Sequence, residues 1–329
     1  MTLLARQIQR TLLAALPDPE AAARPELAAY ARLLRDYPER GGKMLRGRLV
    51  VLTARAYGDD TAALEAAAAL ELFQNWVLIH DDIEDDSDER RGRPALHRLA
   101  PMPLALNAGD ALHAAMWRLL TEAGARRKVL LEFAELVETT ASGQHLDLSW
   151  TLEGRFDLTA DDYLEMVRRK AAYYTAVAPL RLGALTAGQM PDPAFARAGL
   201  DLGVAFQIVD DVLNLEGDPA AYGKEAAGDL WEGKRTLILL DWLASAGPEE
   251  RARAEALLCR PRAEKDPDEV AWLHERLLAS GAVARARERA RRMAEPALAE
   301  LERAFAPLPG REAAREALGL LAALVWRER

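Results

Sequence analysis

The sequence of 329 residues predicts an all-α fold. Half of its residues are hydrophobic, which is enough for a substantial core. Leucines recur at helical spacing, for example over 3–16 and 318–325, whereas the strict polar–apolar alternation of strands is scarce. By length alone the chain could form one large domain or two.

Proline and glycine divide the predicted helices in chain order. The breaks are expected near Pro17, near Pro38, in the 92–103 loop, at Gly154, at 191–193 and at 217–223. The stretch 260–268 is charged and contains proline, so it is predicted to be a surface loop rather than a domain boundary.

The first acidic segment is HDDIEDDSDERRG, residues 80–92. Asp81 and Asp85 are four residues apart, so their carboxylates share one face of a helix, with Asp82 beside them. Like charges so placed repel unless cations neutralise them. Mg²⁺ is commonly held by one or two carboxylates and completes its shell with water and substrate phosphates. The segment therefore predicts a magnesium–diphosphate site; the alternative is a solvated acidic helix end.

A second acidic segment lies at 203–218. Its polar residues Gln207, Asp210, Asp211 and Asn214 share one helix face, and the residues between them are mostly apolar. Unpaired charge in such a helix is costly. Two acidic sites on different helices predict carboxylates that face each other across a cavity with metal ions between them.

Basic residues suited to phosphate accompany both acidic segments. Arg90 and Arg91 are forked donors that match phosphate oxygens. Lys43 and Arg46 follow two glycines, and a helix beginning there would add its free N–H groups to an anion site. Further candidates are Lys170, Lys224 and Lys234. Each lysine alone would be read as a surface charge, but their positions around the acidic helices favour a joint site.

These motifs resemble those of the trans-isoprenyl diphosphate synthases, the polyprenyl synthetase family. The matching segments are GGKMLR at 41–46, DDIED and RRG within 81–92, NAGDAL at 107–112, FQIVDD at 206–211 and GKEAAGDLWEGKRT at 223–236. The resemblance implies one domain over residues 1–329, a large helical bundle of the isoprenoid synthase type around a central active-site cavity. It also implies a homodimer and several Mg²⁺ ions per site.

The resemblance implies a role for each candidate residue. The metal ligands would be Asp81, Asp85 and Asp210, and the catalytic set would add Asp82, Lys170, Gln207 and Asp211. The allylic diphosphate would contact Arg90, Lys170, Gln207, Lys224 and Lys234. The diphosphate of isopentenyl diphosphate would contact Lys43, Arg46, Gln74 and Arg91. The helical wheel independently places Gln74 near the face of Asp81. Asp147, in SGQHLDL, would orient the site through a lysine or a water molecule.

The implied reaction is the head-to-tail condensation of isopentenyl diphosphate with an allylic diphosphate. Mg²⁺ and the basic residues would neutralise the charge that develops on the leaving diphosphate. No dedicated protein base is visible, and the departing pyrophosphate could accept the proton. Two alternatives remain open: a class I terpene cyclase, which needs no site for isopentenyl diphosphate, and a catalytically silent regulatory subunit, which needs eroded aspartates.

Product length in this family depends on bulk below the first acidic motif. Trp76 and Val77 lie five and four residues before Asp81, and DDIED carries no insertion. This pattern resembles short-to-medium-chain synthases, with geranylgeranyl diphosphate favoured over farnesyl diphosphate. The wheel places Val77, but not Trp76, beneath Asp81, so an ordinary core role for Trp76 and Phe73 is the alternative.

Two residues depart from the family pattern. Asn214 stands where the fullest second motif has aspartate, and a polar supporting role is still open to it. Ala171 follows Lys170 where the family often has threonine, and Thr175 is a possible substitute for the missing hydroxyl.

Composition restricts the location and the partners. The net charge of −9 argues against nucleic-acid binding. Cys259 is the single cysteine, so no intrachain disulfide is possible and a reducing, cytoplasmic location is expected. No apolar run reaches about 18 residues, and the N-terminus lacks a cleavage signature, so neither a membrane span nor a signal peptide is predicted.

Overall fold

The computed structural model describes residues 1–217 and 227–326, and this part of the chain is predominantly helical. In chain order the helices are α1 (Leu3–Ala14), α2 (Pro25–Glu39), α3 (Leu45–Tyr57), α4 (Ala63–Glu84), α5 (Leu96–Leu99), α6 (Met102–Glu122), α7 (Arg127–Leu152), α8 (Ala160–Val167), α9 (Ala178–Thr186), α10 (Pro193–Glu216), α11 (Gly228–Glu232), α12 (Leu237–Leu243), α13 (Pro248–Leu258), α14 (Pro267–Ala279), α15 (Ala282–Phe305) and α16 (Arg311–Val325). A π-helical segment, Arg168–Val177, joins α8 to α9 without a break. The prediction of an all-α fold is confirmed.

Within the described residues, the helix breaks fall where proline and glycine place them. Of the break predicted at 217–223, only Gly217, which follows the end of α10, lies in the described part of the chain. Helix α1 ends before Pro17, and Pro38 occupies the last turn of α2. Gly154 adopts a positive φ of 62° just after α7. Asp192 caps the start of α10 by accepting a hydrogen bond from the backbone N–H of Ala194.

The predicted loop at 92–103 is more regular than expected. A short antiparallel hairpin pairs β1 (Glu89–Arg90) with β2 (Arg93–Pro94), and α5 follows it. Arg91 and Gly92 form the two-residue turn with φ values of 55° and 70°. Two successive positive φ angles are typical of the type I′ turn, which matches the twist of a tight hairpin. The turn brings Arg90 and Arg91 back towards α2.

The core is continuous from α1 to α16 and is centred on α4 and α10. Helix α4 is apolar around most of its circumference and packs against α3 and α6. Helix α10 packs against the π segment and α15. No helix in the described ranges is long and apolar enough to cross a bilayer.

Two glycines bring the π segment into close contact with the helices on either side. A Cβ atom at Gly143 of α7 would lie 2.2 Å from the backbone nitrogen of Lys170. A Cβ atom at Gly203 of α10 would lie 2.6 Å from the Cα atom of Ala172. Larger residues would push the three elements apart. The π segment is thereby held between α7 and α10, and π-helical turns frequently mark functional sites.

Candidate active site

A cavity of about 1190 Å³ lies at the centre of the bundle. Its wall includes the predicted residues Lys43, Arg46, Gln74, Trp76, Val77, Asp81, Arg90, Arg91, Lys170, Gln207, Asp210, Asp211 and Lys234. Asp82 and Asp85 are not among the residues that line the cavity, and Lys224 lies outside the described residues. The structure thus brings together residues separated by up to 191 positions in the sequence, from Lys43 to Lys234.

Asp81 presents its carboxylate to the cavity from the last turns of α4. Its Oδ2 atom lies 3.2 Å from Nη2 of Arg90, and its Oδ1 atom lies 3.3 Å from Nζ of Lys170. The side chain is 19% exposed, so the carboxylate remains accessible from the cavity. Both contacts are with residues that the family resemblance assigns to the allylic diphosphate.

Asp82 points away from the cavity. It is fully buried and accepts hydrogen bonds from Nε of Arg90, 2.9 Å from Oδ1 and 3.1 Å from Oδ2. The hydroxyl of Tyr37 on α2 also donates to it. Asp82 is therefore positioned to orient Arg90 rather than to reach the cavity itself.

Asp85 and Lys234 connect the first acidic segment to the chain after α11. Oδ2 of Asp85 lies 2.8 Å from Nζ of Lys234, which also lies 2.6 Å from Oε2 of Glu232. Ser87 donates to the other carboxylate oxygen of Glu232 at 2.6 Å. Burial raises the pKa of Asp85 to about 7, although the charge of Lys234 opposes this shift.

Lys170 extends from the π segment between two acids. Its Nζ atom lies 2.5 Å from Oδ2 of Asp147, which is closer than its contact with Asp81. Burial works against the charge of Lys170, yet the carboxylates of Asp147 and Asp81 raise its pKa above the ordinary lysine value. The lysine is therefore held as a cation at the cavity wall.

The second acidic motif lies on α10, and Asp211 is held by two donors. The hydroxyl of Tyr163 donates to Oδ2 at 2.6 Å, and Nε2 of Gln207 donates to Oδ1 at 2.9 Å. Burial raises the pKa of Asp211 to about 8, with a smaller contribution from the charge of Asp229. Asp210 lies next to it on the cavity wall.

The two departures from the family pattern have structural outcomes. Asn214 is buried, and its Oδ1 atom accepts from the backbone N–H of Asp229 at 3.2 Å, so it links α10 to α11. Ala171 lines the cavity. Thr175 is fully buried and accepts from Nη2 of Arg46 at 2.8 Å. Thr175 therefore supports Arg46 and does not supply the missing hydroxyl to the cavity wall.

The glycine-rich segment forms a second cationic region beside α3. The helix begins at Leu45, close to the expected start, after a left-handed residue at Met44. Arg46 lies with its guanidinium 4.5 Å from the ring centroid of Tyr174. Nη1 of Arg91 donates to the carbonyl of Gly41 at 2.8 Å. Arg46 and Arg91 are thus fixed at the same end of the cavity.

Trp76 belongs to an aromatic column that connects α4 to α6. Its ring stacks on His113 at a centroid distance of 4.1 Å and meets Phe73 edge-on at 5.6 Å. Gly109 of α6 allows α4 to approach α6 closely, because a Cβ atom at this position would lie 2.3 Å from Nε2 of His80 on α4. Trp76 and Val77 both line the cavity.

The donor set fits a metal ion bound together with a phosphate ligand. Among residues 1–217 and 227–326, no three His, Cys, Asp or Glu side chains converge into a complete protein cage. Mg²⁺ seldom needs one, because it is usually bound through one or two carboxylates, with water and substrate phosphates completing the octahedron.

Two supporting tyrosines had no motif to identify them. Tyr37 and Tyr163 donate to Asp82 and Asp211, one in each acidic motif. A buried tyrosine hydroxyl generally needs a hydrogen-bond partner. The sequence carries no local signal for which acid it will meet, because the partners are 45 and 48 residues away.

The helical bundle, its acid-lined cavity and its two cationic regions define a prenyltransferase. The sequence profile described as polyprenyl synthetase matches residues 28–277, and the chain belongs to this family. It is 37% identical over 224 residues to the short chain isoprenyl diphosphate synthase of Methanothermobacter thermautotrophicus, covering 66% of this chain and 68% of that protein. It is 34% identical over 234 residues to the geranylgeranyl diphosphate synthase of Saccharolobus solfataricus, and the match covers 69% of this chain and 70% of that protein.

Solved structures show the same similarity over nearly the whole chain. The geranylgeranyl pyrophosphate synthase of Corynebacterium glutamicum, complexed with isoprenyl diphosphate and magnesium, has a TM-score of 0.85 and 28% identity, covering 99% of this chain and 98% of its own. The polyprenyl synthase of Caulobacter crescentus, complexed with calcium and isoprenyl diphosphate, has a TM-score of 0.83 and 31% identity. The match covers 98% of this chain and 94% of that chain. These similarities support prenyl diphosphate synthesis and give no support to the cyclase alternative.

Proposed function

We propose that this protein condenses isopentenyl diphosphate head-to-tail with an allylic diphosphate and releases a short-to-medium-chain prenyl diphosphate. Geranylgeranyl diphosphate is the favoured product and farnesyl diphosphate the next. The observation that carries the proposal is the cavity itself, because acids from α4 and α10 share its wall with two separate groups of cations. Two cationic groups suit an enzyme with two diphosphate substrates, whereas a cyclase has only one such substrate.

Mg²⁺ would be held by Asp81, Asp85 and Asp210 together with the allylic diphosphate. When bound, the ions offset the negative charge that grows on the leaving diphosphate. The two relatives whose crystal structures contain calcium or magnesium together with isoprenyl diphosphate support this use of divalent metal. Gln207 and Tyr163 keep Asp211 oriented beside Asp210.

The allylic diphosphate would lie against Arg90, Lys170 and Lys234. Lys170 and Lys234 are already held as cations at the cavity, so a diphosphate can take over the contacts that they now make with Asp81 and Asp85. This exchange leaves each lysine with a second acid, Asp147 or Glu232, to hold its position. Lys224 remains a prediction from the resemblance.

Isopentenyl diphosphate would bind at the other cationic group, Lys43, Arg46 and Arg91, together with the neutral side chain of Gln74. Its double bond would then attack the allylic cation in the space between the two groups, where Gln207 faces the reacting carbons. The proton lost from the new chain would go to the departing pyrophosphate. The apolar residues of the cavity wall would exclude water, which would otherwise trap the cation.

Trp76 and Val77 would set the product length. Trp76 is braced by His113 and Phe73, so it forms a rigid surface at the cavity. A braced indole resists displacement by a growing chain better than an isolated side chain, because moving it disturbs closely packed neighbours.

A homodimer and a single domain over residues 1–329 are part of the proposal. Four large apolar side chains around the junction of α5 and α6 are exposed: Leu99, Met102, Leu104 and Leu106. Such a group suits a surface that is covered by a second copy. Light scattering on the purified protein measures the oligomeric state directly.

The continuous core supports the single domain. The lone Cys259 is in keeping with a cytoplasmic location.

Product analysis tests the reaction. The purified protein is incubated with Mg²⁺, isopentenyl diphosphate and, in parallel, dimethylallyl, geranyl or farnesyl diphosphate. A C20 diphosphate supports both the reaction and the product length. A C15 end product keeps the reaction and contradicts the product length inferred from Trp76 and Val77. Cyclised hydrocarbon without uptake of isopentenyl diphosphate favours a cyclase, and no turnover with any starter favours a silent subunit.

A further inference from the structure

The last turn of α2 contacts the segments that carry both proposed diphosphate sites. Tyr37 is fully buried there, and its hydroxyl donates to Asp82 while accepting from the backbone N–H of Leu96 at 3.1 Å. Its backbone carbonyl accepts from Nη1 of Arg91 at 2.9 Å. One residue therefore reaches Arg91 directly and Arg90 through Asp82.

The two arginines occupy adjacent positions but serve different proposed substrates. Arg90 donates from Nε to both oxygens of Asp82, whereas Arg91 bends back through the tight turn towards Gly41. Arg40, also at the end of α2, donates to the backbone carbonyl of Arg90 at 2.7 Å. The hairpin is thus attached to α2 through side chains and backbone together, which fixes where each guanidinium enters the cavity.

The hydroxyl of Tyr37 is suited to this role. Burial, reinforced by the charge of Asp82, raises the pKa of Tyr37 above its ordinary value, so the hydroxyl stays protonated and donates. A carboxylate that receives Arg90 on one side and a hydroxyl on the other has little freedom to rotate. Without the hydroxyl, Asp82 can turn and carry the guanidinium of Arg90 with it.

We propose that Tyr37 is a positioning residue that orients Arg90 through Asp82 with its hydroxyl and orients Arg91 with its backbone carbonyl. Helix α2 then sets the separation of the allylic and isopentenyl diphosphate sites. The inference rests on the proposed function, because it assumes that Arg90 and Arg91 contact different diphosphates.

The variant Tyr37→Phe separates the two contacts, because it removes the hydroxyl and keeps the backbone carbonyl. We expect the KM for the allylic diphosphate to rise about tenfold, the effect of losing one hydrogen bond to a charged group. The KM for isopentenyl diphosphate should stay within about twofold, because the contact with Arg91 is unchanged. A merely structural loss would lower the amount of active enzyme, and hence kcat, without this asymmetry between the two KM values.

The matched control is Tyr30→Phe. Tyr30 lies on the same helix, is partly buried against the core, and makes no hydrogen bond through its hydroxyl within the described part of the chain. The same chemical change there should leave both KM values unaltered. KM is a property of the folded molecules. The KM values of the two variants can therefore be compared even if Tyr37→Phe lowers the melting temperature.

A double-mutant cycle with Arg90→Lys decides whether Tyr37 acts through Arg90. If it does, Tyr37→Phe has little further effect on the allylic KM in the Arg90→Lys background. Additive effects of the two changes, or an unchanged allylic KM in Tyr37→Phe, would overturn the inference. If Arg90→Lys itself leaves the allylic KM unchanged, the assignment of Arg90 in the proposed function fails instead, so the two failures are distinguishable.

Discussion

The ammonium of Lys170 lies 2.5 Å from the carboxylate of Asp147 on the neighbouring helix α7. The family resemblance implied that Asp147 orients the site through a lysine or a water molecule, and its contact with this lysine is direct. It forms because Gly143, one turn earlier on α7, lets the backbone of the π segment approach closely. Asp147 is nearly fully buried, so its charge is committed to Lys170 and holds that cation at the cavity.

Asp147→Asn should therefore weaken catalysis without unfolding the protein. The neutral amide no longer balances Lys170, which then shifts towards Asp81 and occupies the proposed metal ligand. We expect kcat/KM for the allylic substrate to fall about tenfold or more, in line with the loss of a charged hydrogen-bond partner. The control Asp157→Asn makes the same change at a surface acid paired with Arg155 and should have no effect. Equal kinetics in the two variants would remove Asp147 from the site.

Asp81→Ala should reduce turnover by at least about a hundredfold while the fold is retained, because the site would lose a central ligand for its charge-neutralising ions. Neither cation that contacts Asp81 is left unpaired: Arg90 keeps Asp82, and Lys170 keeps Asp147. Steady-state kinetics and circular dichroism measure the two effects. The comparison variant is Asp88→Ala, at a half-exposed acid in the same segment. Retained turnover without Asp81 would exclude it from the mechanism.

Trp76→Ala should lengthen the products, because it removes the indole that is proposed to block the growing chain. Loss of the indole from its column with His113 should also destabilise the fold by about 3 kcal/mol. Chromatography of the dephosphorylated products gives the chain length. Trp117→Ala removes an aromatic residue from the same column, where Trp117 donates to His113, but not from the cavity wall. Longer products from both variants would point to general loosening, and unchanged products from Trp76→Ala would return Trp76 to an ordinary core role.

The stability of the protein without ligands should fall between about pH 5 and 7 because of Asp85. The pKa of Asp85 in the folded state is raised to about 7, mainly by burial. Between the ordinary pKa of an aspartate and pH 7, the folded state therefore keeps a proton that the unfolded chain has already released. The stabilisation is complete below that ordinary value and is lost as the pH rises through 7.

Denaturant unfolding of the wild type and of Asp85→Asn across this range measures the effect. The difference between the two proteins cancels the contributions of other titrating groups, including His97 and His113, whose pKa values are lowered mainly by burial. The wild type should lose stability with rising pH relative to the variant. A difference that does not vary with pH would show that Asp85 is not held protonated.

Part of the site was predictable because its signals are local. Asp81 and Asp85 share a helix face by their spacing, and the same holds for Gln207 and Asp210. The start of α3 after the two glycines was likewise close to the expected position. Such patterns depend only on the periodicity of a helix and on the chemistry of neighbouring side chains.

Other features required contacts between distant parts of the chain. Lys265 illustrates this: it lies in the stretch predicted as a surface loop, yet it is buried and donates to the carbonyls of Leu230 and Trp231 at 2.9 and 2.6 Å. The last carbonyls of a helix need such donors, but only the packing of the chain brings one to the end of α11.

The sequence by itself therefore determined the helical class and located the two acidic segments, because helix periodicity and charge are properties of short segments. Six of its predicted basic residues line the cavity, namely Lys43, Arg46, Arg90, Arg91, Lys170 and Lys234, whereas Arg235 lines it without having been predicted. The tertiary structure decided how these residues are used. Asp81 and Asp82 are neighbours, yet about 100° of helix rotation turns one to the cavity and the other to Tyr37. Which acid meets which cation depends on helices that approach from far along the chain, and no local pattern encodes that approach.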